Sequence, residues 1–187
     1  MLAQAETYCD LRFEKIDGQV YAMASASVNH SEVASNLTNV FKRYLLGRTC
    51  RAFREIDVFM DEDNVIPDVM IVCDKDKIKP NGIHGAPDLV VEILSPSTGR
   101  QDRIKKFKLY ERNGVKEYWL IDPNSKMIEI YLLEEGRFEL EGFYSIVPDD
   151  DQARKPEEYR LVFPDMVVSP TFPDMPVSLQ EVFLDVE

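Results

Sequence analysis

Apolar and polar positions change period several times along the chain, and each change marks an element. Leu11–Ile16 and Gln19–Ala24 flank Asp17-Gly18, a pair suited to the positive φ angles of a two-residue type I′ turn, so a hairpin is predicted. Val33, Leu37, Val40, Phe41, Tyr44 and Leu45 then recur at helical spacing up to Gly47. Asn29 with Glu32 three places on gives this amphipathic helix a capping signal. Cys50–Met60 and Val65–Cys73 read as a second hairpin around the acidic turn Asp61-Glu62-Asp63-Asn64, followed by a polar loop over Asp74–Ala86. Asp88–Leu94 (DLVVEIL) is almost continuously branched and apolar, the pattern of a strand buried on both faces.

Ser95-Pro96-Ser97 breaks that strand. Thr98 and Gln101 form a capping box for a helix that Asn113-Gly114 closes as a left-handed cap. Tyr118–Ile121 and Met127–Leu133 are strands about the turn Asp122-Pro123-Asn124-Ser125. From Phe138 prolines limit regular structure to extended connections and short strands, until Ser178 and Glu181 cap a last short helix. This order predicts an α/β (α+β) fold, one mixed central β-sheet flanked by helices with an N-terminal β-hairpin. No repeat or linker interrupts it, so residues 1–187 are expected to form one domain.

Composition narrows the function. The chain carries 22 basic and 34 acidic residues, a net charge of -12, which disfavours free-ranging affinity for a phosphate backbone. The exception is local: Arg100, Arg103, Lys105, Lys106, Lys108, Arg112 and Lys116 stand in one segment with only Asp102 and Glu111 against them. The three cysteines are far apart and in no CxxC pair, supporting neither a disulfide framework nor a cysteine-rich zinc site. Met1–Asp10 lacks a basic stretch followed by an apolar run, and no window suits a membrane span. The expected setting is the reducing cytoplasm, away from the membrane.

The informative residues are carboxylates in apolar strands. Glu92 sits in the middle of DLVVEIL, where an unpaired charge costs several kcal/mol. A basic partner, a raised pKa or a metal ion must compensate. Asp68 lies in a similar run (VIPDVMIV), behind Pro67, which cannot donate to a ladder, so the regular strand is expected to start at Asp68 or to lie at an edge or bulge. Asp88 is about 13 Å from Glu92 along one strand, at about 3.3 Å per residue, too far to share an ion with it. Asp68 and Glu92 from different strands are the useful pair. On the next helix Asp102, Lys106 and Tyr110 fall at i, i+4 and i+8 on one face together with Leu109, aiming Lys106 toward the sheet. Lys105, Lys108 and Arg112 lie on another stripe. Two carboxylates and a lysine at strand ends suit metal-assisted phosphodiester hydrolysis, with Mg²⁺ (or Mn²⁺) held by oxygen ligands and the lysine orienting water or stabilising phosphate.

Pro67-Asp68, Glu92-Ile93 on a buried strand and a helical lysine resemble the PD-(D/E)XK nuclease superfamily. More narrowly, the run Ala86-Pro87-Asp88-Leu89-Val90-Val91-Glu92-Ile93-Leu94-Ser95-Pro96-Ser97-Thr98, with Asp102, Lys106, Tyr110 and Glu117-Tyr118-Trp119-Leu120-Ile121-Asp122-Pro123, resembles the Uma2 (DUF820) family of restriction endonuclease-like proteins. The likeness extends back to Ile16-Asp17-Gly18-Gln19-Val20-Tyr21. It implies that Asp68 and Glu92 are metal ligands with the Ile93 carbonyl, and that Lys106 is the active-site lysine. Leu94 stands two places after the acid, where the superfamily pattern has its lysine, so Lys106 has to serve from the helix.

The function expected is a Mg²⁺-dependent endonuclease acting on DNA, with Asp102 or Tyr110 supporting Lys106 and with Arg100, Arg103, Lys105 and Lys108 as candidate nucleic-acid contacts. The acidic surface implies weak DNA binding, relieved by a recruiting partner or by a homodimer that pools two basic segments. A non-catalytic interaction or regulatory module that retains the nuclease fold is the competing reading, with Glu92 paired to Lys106 as a structural ion pair. A hydrolase of a small phosphorylated substrate is a third. His30 and His84 share no ligand spacing; His30 could approach the site because it starts the first helix beside Glu32, but a polar residue at a helix start is the expected reading. Trp119 is expected in the core, and Tyr110 and Tyr118 suit either the site or aromatic packing.

Overall fold

The computed structural model describes residues 12–23, 25–95, 102–146 and 164–187, with the side chains of residues 102 and 103 outside that description. The first hairpin forms as its turn dictates: β1 (Phe13–Ile16) and β2 (Gln19–Ala22) pair in register around Asp17 and Gly18, at φ 52° and 74°. Helix α1 (Val28–Leu45) follows, but its cap is Ser27, whose Oγ accepts from the His30 N–H at 3.2 Å. Asn29 is therefore inside the helix, and its side chain bonds the backbone of Glu187 instead.

The two long extended runs do not make one hairpin. Each breaks in the middle, at Glu55 (φ 52°) and near Pro67, and each half joins a different sheet. The outer halves, β3 (Arg51–Arg54) and β6 (Val69–Val72), pair in the central sheet. The inner halves, β4 (Val58–Met60) and β5 (Asp63–Val65), form a tight hairpin in the smaller sheet. The expected polar loop holds β7 (Ile78–Lys79) and β8 (Gly82–His84), with β8 running parallel to β4. Gly82 permits this pairing: at φ 141°, a Cβ there would sit 2.5 Å from the Asp57 carbonyl oxygen.

The apolar run forms β9 (Leu89–Ile93), buried at every position. It lies between β6, antiparallel, and β10 (Glu117–Asp122), parallel. Continuing outward are β11 (Met127–Glu134) and β12 (Arg137–Ser145). β12 replaces the short strands expected after Phe138, because backbone pairing with β11 sustains a strand of nine residues. The central order is β12-β11-β10-β9-β6-β3; the smaller sheet runs β2-β1-β5-β4-β8-β7. The helix after β9 enters through a wide π-type turn, Asp102–Lys106, and continues as α2 (Phe107–Asn113), ended by Gly114 at φ 79°. The capping residues Thr98 and Gln101 lie outside the described residues.

Side-chain alternation puts two apolar layers on the central sheet. Val69, Ile71, Leu89, Val91 and Ile93 pack with Val33, Leu37 and Phe41 of α1. Trp119 is in this layer, edge-on to Phe41. Met70, Val72, Val90 and Leu120 face the other way, against Leu109 and Tyr110 of α2 and against Ile16, Val58 and Val65 of the smaller sheet. The C-terminal stretch completes the first layer through β13 (Met166–Val167), β14 (Val177–Ser178) and α3 (Leu179–Val182). Ser178 takes the cap position of α3 without a side-chain cap bond. Glu117 anchors this stretch: its fully buried carboxylate accepts from Trp119 Nε1 (2.6 Å), Ser169 Oγ (2.9 Å) and the Thr171 N–H (2.8 Å).

Two cysteines depart from expectation. Cys50 and Cys73 form a disulfide between the β3 and β6 ends. Arg51 pairs with Val72, so the next pair outward in that register is Cys50 with Cys73, a juxtaposition that spacing in the sequence does not reveal. Among the described residues no helix is long and apolar enough to cross a membrane.

Candidate active site

The site is built where the central sheet meets α2. Glu92 belongs to the even-numbered face of β9, the face that α2 covers, so the strand itself points this acid at the helix. Asp68 stands one residue before β6. The last pair of that ladder is Val69 with Val91, so Asp68 lies one residue past its end, next to the Glu92-Ile93 step. Its Oδ2 accepts the Ile93 N–H at 2.6 Å, so the side chain satisfies a backbone donor of β9 where the ladder has ended. The strand thus starts at Val69, in the sheet interior rather than at an edge, with Asp68 as its lead-in.

Lys106 ends the π-type turn, and its Nζ lies 3.0 Å from each Glu92 oxygen. Tyr110, one helical turn on, donates its hydroxyl to Glu92 Oε1 at 2.5 Å. The predicted i, i+4 pair therefore converges on one carboxylate. Burial, then the charges of Glu92 and Glu14, push the Tyr110 hydroxyl well above the ordinary tyrosine range, so it acts as a donor. Asp102, the first member of that series, has its side chain outside the description.

Two further residues take part. Glu14 on β1 brings Oε1 to 2.8 Å from Lys106 Nζ, and the same oxygen accepts the Ile66 N–H at 2.8 Å. His30, at the helix start, takes the less favoured of its two readings and approaches the site, with Nε2 3.1 Å from Asp68 Oδ1. Burial alone would lower its pKa, but the bond to Asp68 and that residue's charge outweigh burial and raise it above the usual histidine value. Its Nδ1 is buried and has no hydrogen-bond partner among the described residues. A sequence signal existed for His30, which falls on the same helical stripe as Val33, Ala34, Leu37 and Phe41. For Glu14 the signal was its phase: it alternates onto the inward face of β1 with Ile16. Glu92, Lys106 and Glu14 are 2%, 3% and 5% exposed, so these charges interact across a weakly screened interior.

The other candidates lie apart. Asp88 closes the far end of β9, accepting from Lys116 Nζ (2.7 Å) and the Cys73 N–H (2.7 Å). In the basic segment Arg112 pairs with Asp17 and Asp63, and Lys105 lies over the Tyr21 ring, 4.2 Å from its centroid. Lys108 is exposed. Arg100 and the Arg103 side chain lie outside the described residues. His84 is exposed and bonds Asn81.

Among the described residues no group of three or more His, Cys, Asp or Glu side chains is spaced to cage a metal ion. Mg²⁺ commonly takes one or two carboxylates and keeps several waters, so it does not require such a cage. Asp68, Glu92 and the Ile93 carbonyl are hard oxygen donors, the donor chemistry such an ion takes.

A buried central strand that carries an acid to a lysine of the following helix, flanked by a second acid, defines a nuclease-type fold of the PD-(D/E)XK kind. The chain belongs to the Uma2 family, whose model, described as "Putative restriction endonuclease", matches residues 2–159. Two proteins from Synechocystis sp. (strain ATCC 27184 / PCC 6803 / Kazusa) are similar to it. "Uncharacterized protein slr1290" is 36% identical over 124 residues, covering 64% of this chain and 65% of that protein's own length. "Uncharacterized protein sll1609" is 28% identical over 134 residues, covering 68% and 76%. A crystal structure of a "putative nuclease belonging to DUF820" from Anabaena variabilis ATCC 29413 superposes with a TM-score of 0.71 at 22% identity, over 93% of this chain and 90% of that one. That likeness supports the fold.

Proposed function

We propose that the protein is a Mg²⁺- or Mn²⁺-dependent endonuclease that hydrolyses phosphodiester bonds in DNA. The reading is carried by one observation: Lys106, Glu92 and Asp68, from three separate elements, come together around the Glu92-Ile93 step of β9. Asp68, Glu92 and the Ile93 carbonyl would hold the ion, which when bound would activate water and offset charge on the leaving oxygen. Lys106 would supply a fixed positive charge beside the reacting phosphate, held in place by Glu92. Tyr110 orients Glu92 by donating to Oε1, and His30 orients Asp68 through Oδ1. DNA contacts would come from the exposed face of α2, where Lys108 projects, joined by Lys105, Arg103 and Arg100. Arg112 and Lys116 already serve protein carboxylates, so this footprint is smaller than the basic segment suggests, consistent with weak or recruited DNA binding.

One observation favours a second reading. Both Glu92 oxygens are bonded by Lys106, as in a non-catalytic module that keeps the pair for its fold. Supercoiled plasmid incubated with Mg²⁺ or Mn²⁺ and wild type, Asp68→Ala or Glu92→Ala separates the two. Cleavage by wild type alone supports the nuclease; equal background from all three leaves the module.

A further inference from the structure

Glu14 stands where the pattern of β1 calls for an apolar side chain, on the inward face beside Ile16. A carboxylate there loses several kcal/mol of hydration unless something charged compensates. The Ile66 N–H needs only an acceptor, which a neutral group could provide. The feature that calls for a negative charge is Lys106 at 2.8 Å. Glu14 also approaches from the smaller sheet, whereas Glu92 approaches from the central one, so the ammonium is shared between anions on different layers.

This geometry gives Glu14 a task that rests on the nuclease reading above. Were Lys106 paired with Glu92 at full strength, an incoming cation would have to compete with the ammonium for the same carboxylate. Glu14 offers the lysine a second anion, so Glu92 can turn toward a cation while Lys106 stays buried, charged and in place. Because the oxygen that pairs with Lys106 also holds the Ile66 N–H, two residues before Asp68, it fixes the lysine relative to the acid-bearing segment. We propose that Glu14 is a positioning residue that draws Lys106 partly away from Glu92 and thereby admits a divalent cation to the Asp68–Glu92 pair.

The test is Mn²⁺ binding by titration calorimetry on the full chain, with cleavage kinetics alongside. Glu14→Gln keeps an acceptor for Ile66 and removes the charge; we expect Mn²⁺ affinity to fall about 10-fold or more and kcat to fall with KM little changed. Asp63→Asn serves as control, since it loosens the same hairpin sheet through Arg112 and the Asp17 N–H without touching Lys106. It should lower the melting temperature and leave Mn²⁺ affinity within 2-fold. Should Glu14→Gln not fold alone, Glu14→Gln with Lys106→Met is compared with Lys106→Met. Equal Mn²⁺ affinity of these two is expected if Glu14 acts through the lysine, and a further loss in the double variant overturns the proposal. Mn²⁺ binding by Glu14→Gln within 2-fold of wild type overturns it as well, leaving the nuclease reading intact. A wild type that neither binds Mn²⁺ nor cleaves DNA refutes both.

Discussion

Removing the lysine ammonium gives the sharpest test of the buried polar cluster, independent of any activity. Lys106→Met keeps the length of the side chain and deletes its charge, leaving Glu92 and Glu14 without a cation they both contact at 3.0 Å or less. Breaking a buried pair from one side costs about 3–5 kcal/mol. The Tyr110 hydroxyl continues to serve Glu92 and the Ile66 N–H continues to serve Glu14, which places the expected loss near the middle, about 4 kcal/mol. At about 2–4 °C per kcal/mol for a chain of this size, the melting temperature should fall by about 8–16 °C. Thermal unfolding followed by circular dichroism, in chelator at neutral pH, reads this directly. The companion Glu14→Gln, Lys106→Met, Glu92→Gln removes all three charges and should recover most of the loss, since the penalty lies in stranded charge rather than in the absence of a bridge. A Lys106→Met protein melting within 2 °C of wild type, or a triple variant melting no higher than the single one, would refute the account.

Three further outcomes follow from features elsewhere. His30 has its folded pKa raised above the usual 6.5, so its stabilising contribution is full below that value and is lost as pH climbs through the folded pKa; His30→Asn should flatten stability over that window in chelator, and an unchanged profile would contradict the His30–Asp68 pairing. The Cys50–Cys73 disulfide closes a loop with a sequence separation of 23, for which chain entropy gives about 3.4 kcal/mol. Reductant should therefore lower the melting temperature by about 7–14 °C, an effect absent in Cys50→Ser. Gly82→Ala forces a Cβ against the Asp57 carbonyl from a backbone with φ 141°, so the urea midpoint should drop in proportion to about 1–3 kcal/mol.

What the sequence disclosed is what neighbours along the chain decide. The Asp17-Gly18 turn, the α1 stripe, the fully buried β9 and the Gly114 cap each depend on a few adjacent residues, and each formed as expected. Lys106 and Tyr110 were legible for the same reason, since one helical turn relates them. The division of Cys50–Met60 and Val65–Cys73 between two sheets was not, because an alternating pattern looks the same whichever sheet receives it. A non-glycine residue at positive φ, Glu55, makes the switch, and nothing in its side chain announces it. The inward phase of Glu14 and of His30 was legible, but their partners, like the disulfide, were hidden because each contact joins segments distant in sequence.

The C-terminal stretch sets a practical boundary. The family match stops at residue 159, yet Val167, Phe172, Val177, Leu179 and Val182 pack onto the layer built around α1, and Ser169 and Thr171 supply two of the three donors to the Glu117 carboxylate. A fragment trimmed to the matched region would bare an oily flank of the long helix and leave the Glu117 carboxyl inside the sheet short of its donors. Anyone preparing a minimal version for crystallisation or assay should keep the tail, because loss of activity in its absence would report a collapsed scaffold and say nothing about the chemistry.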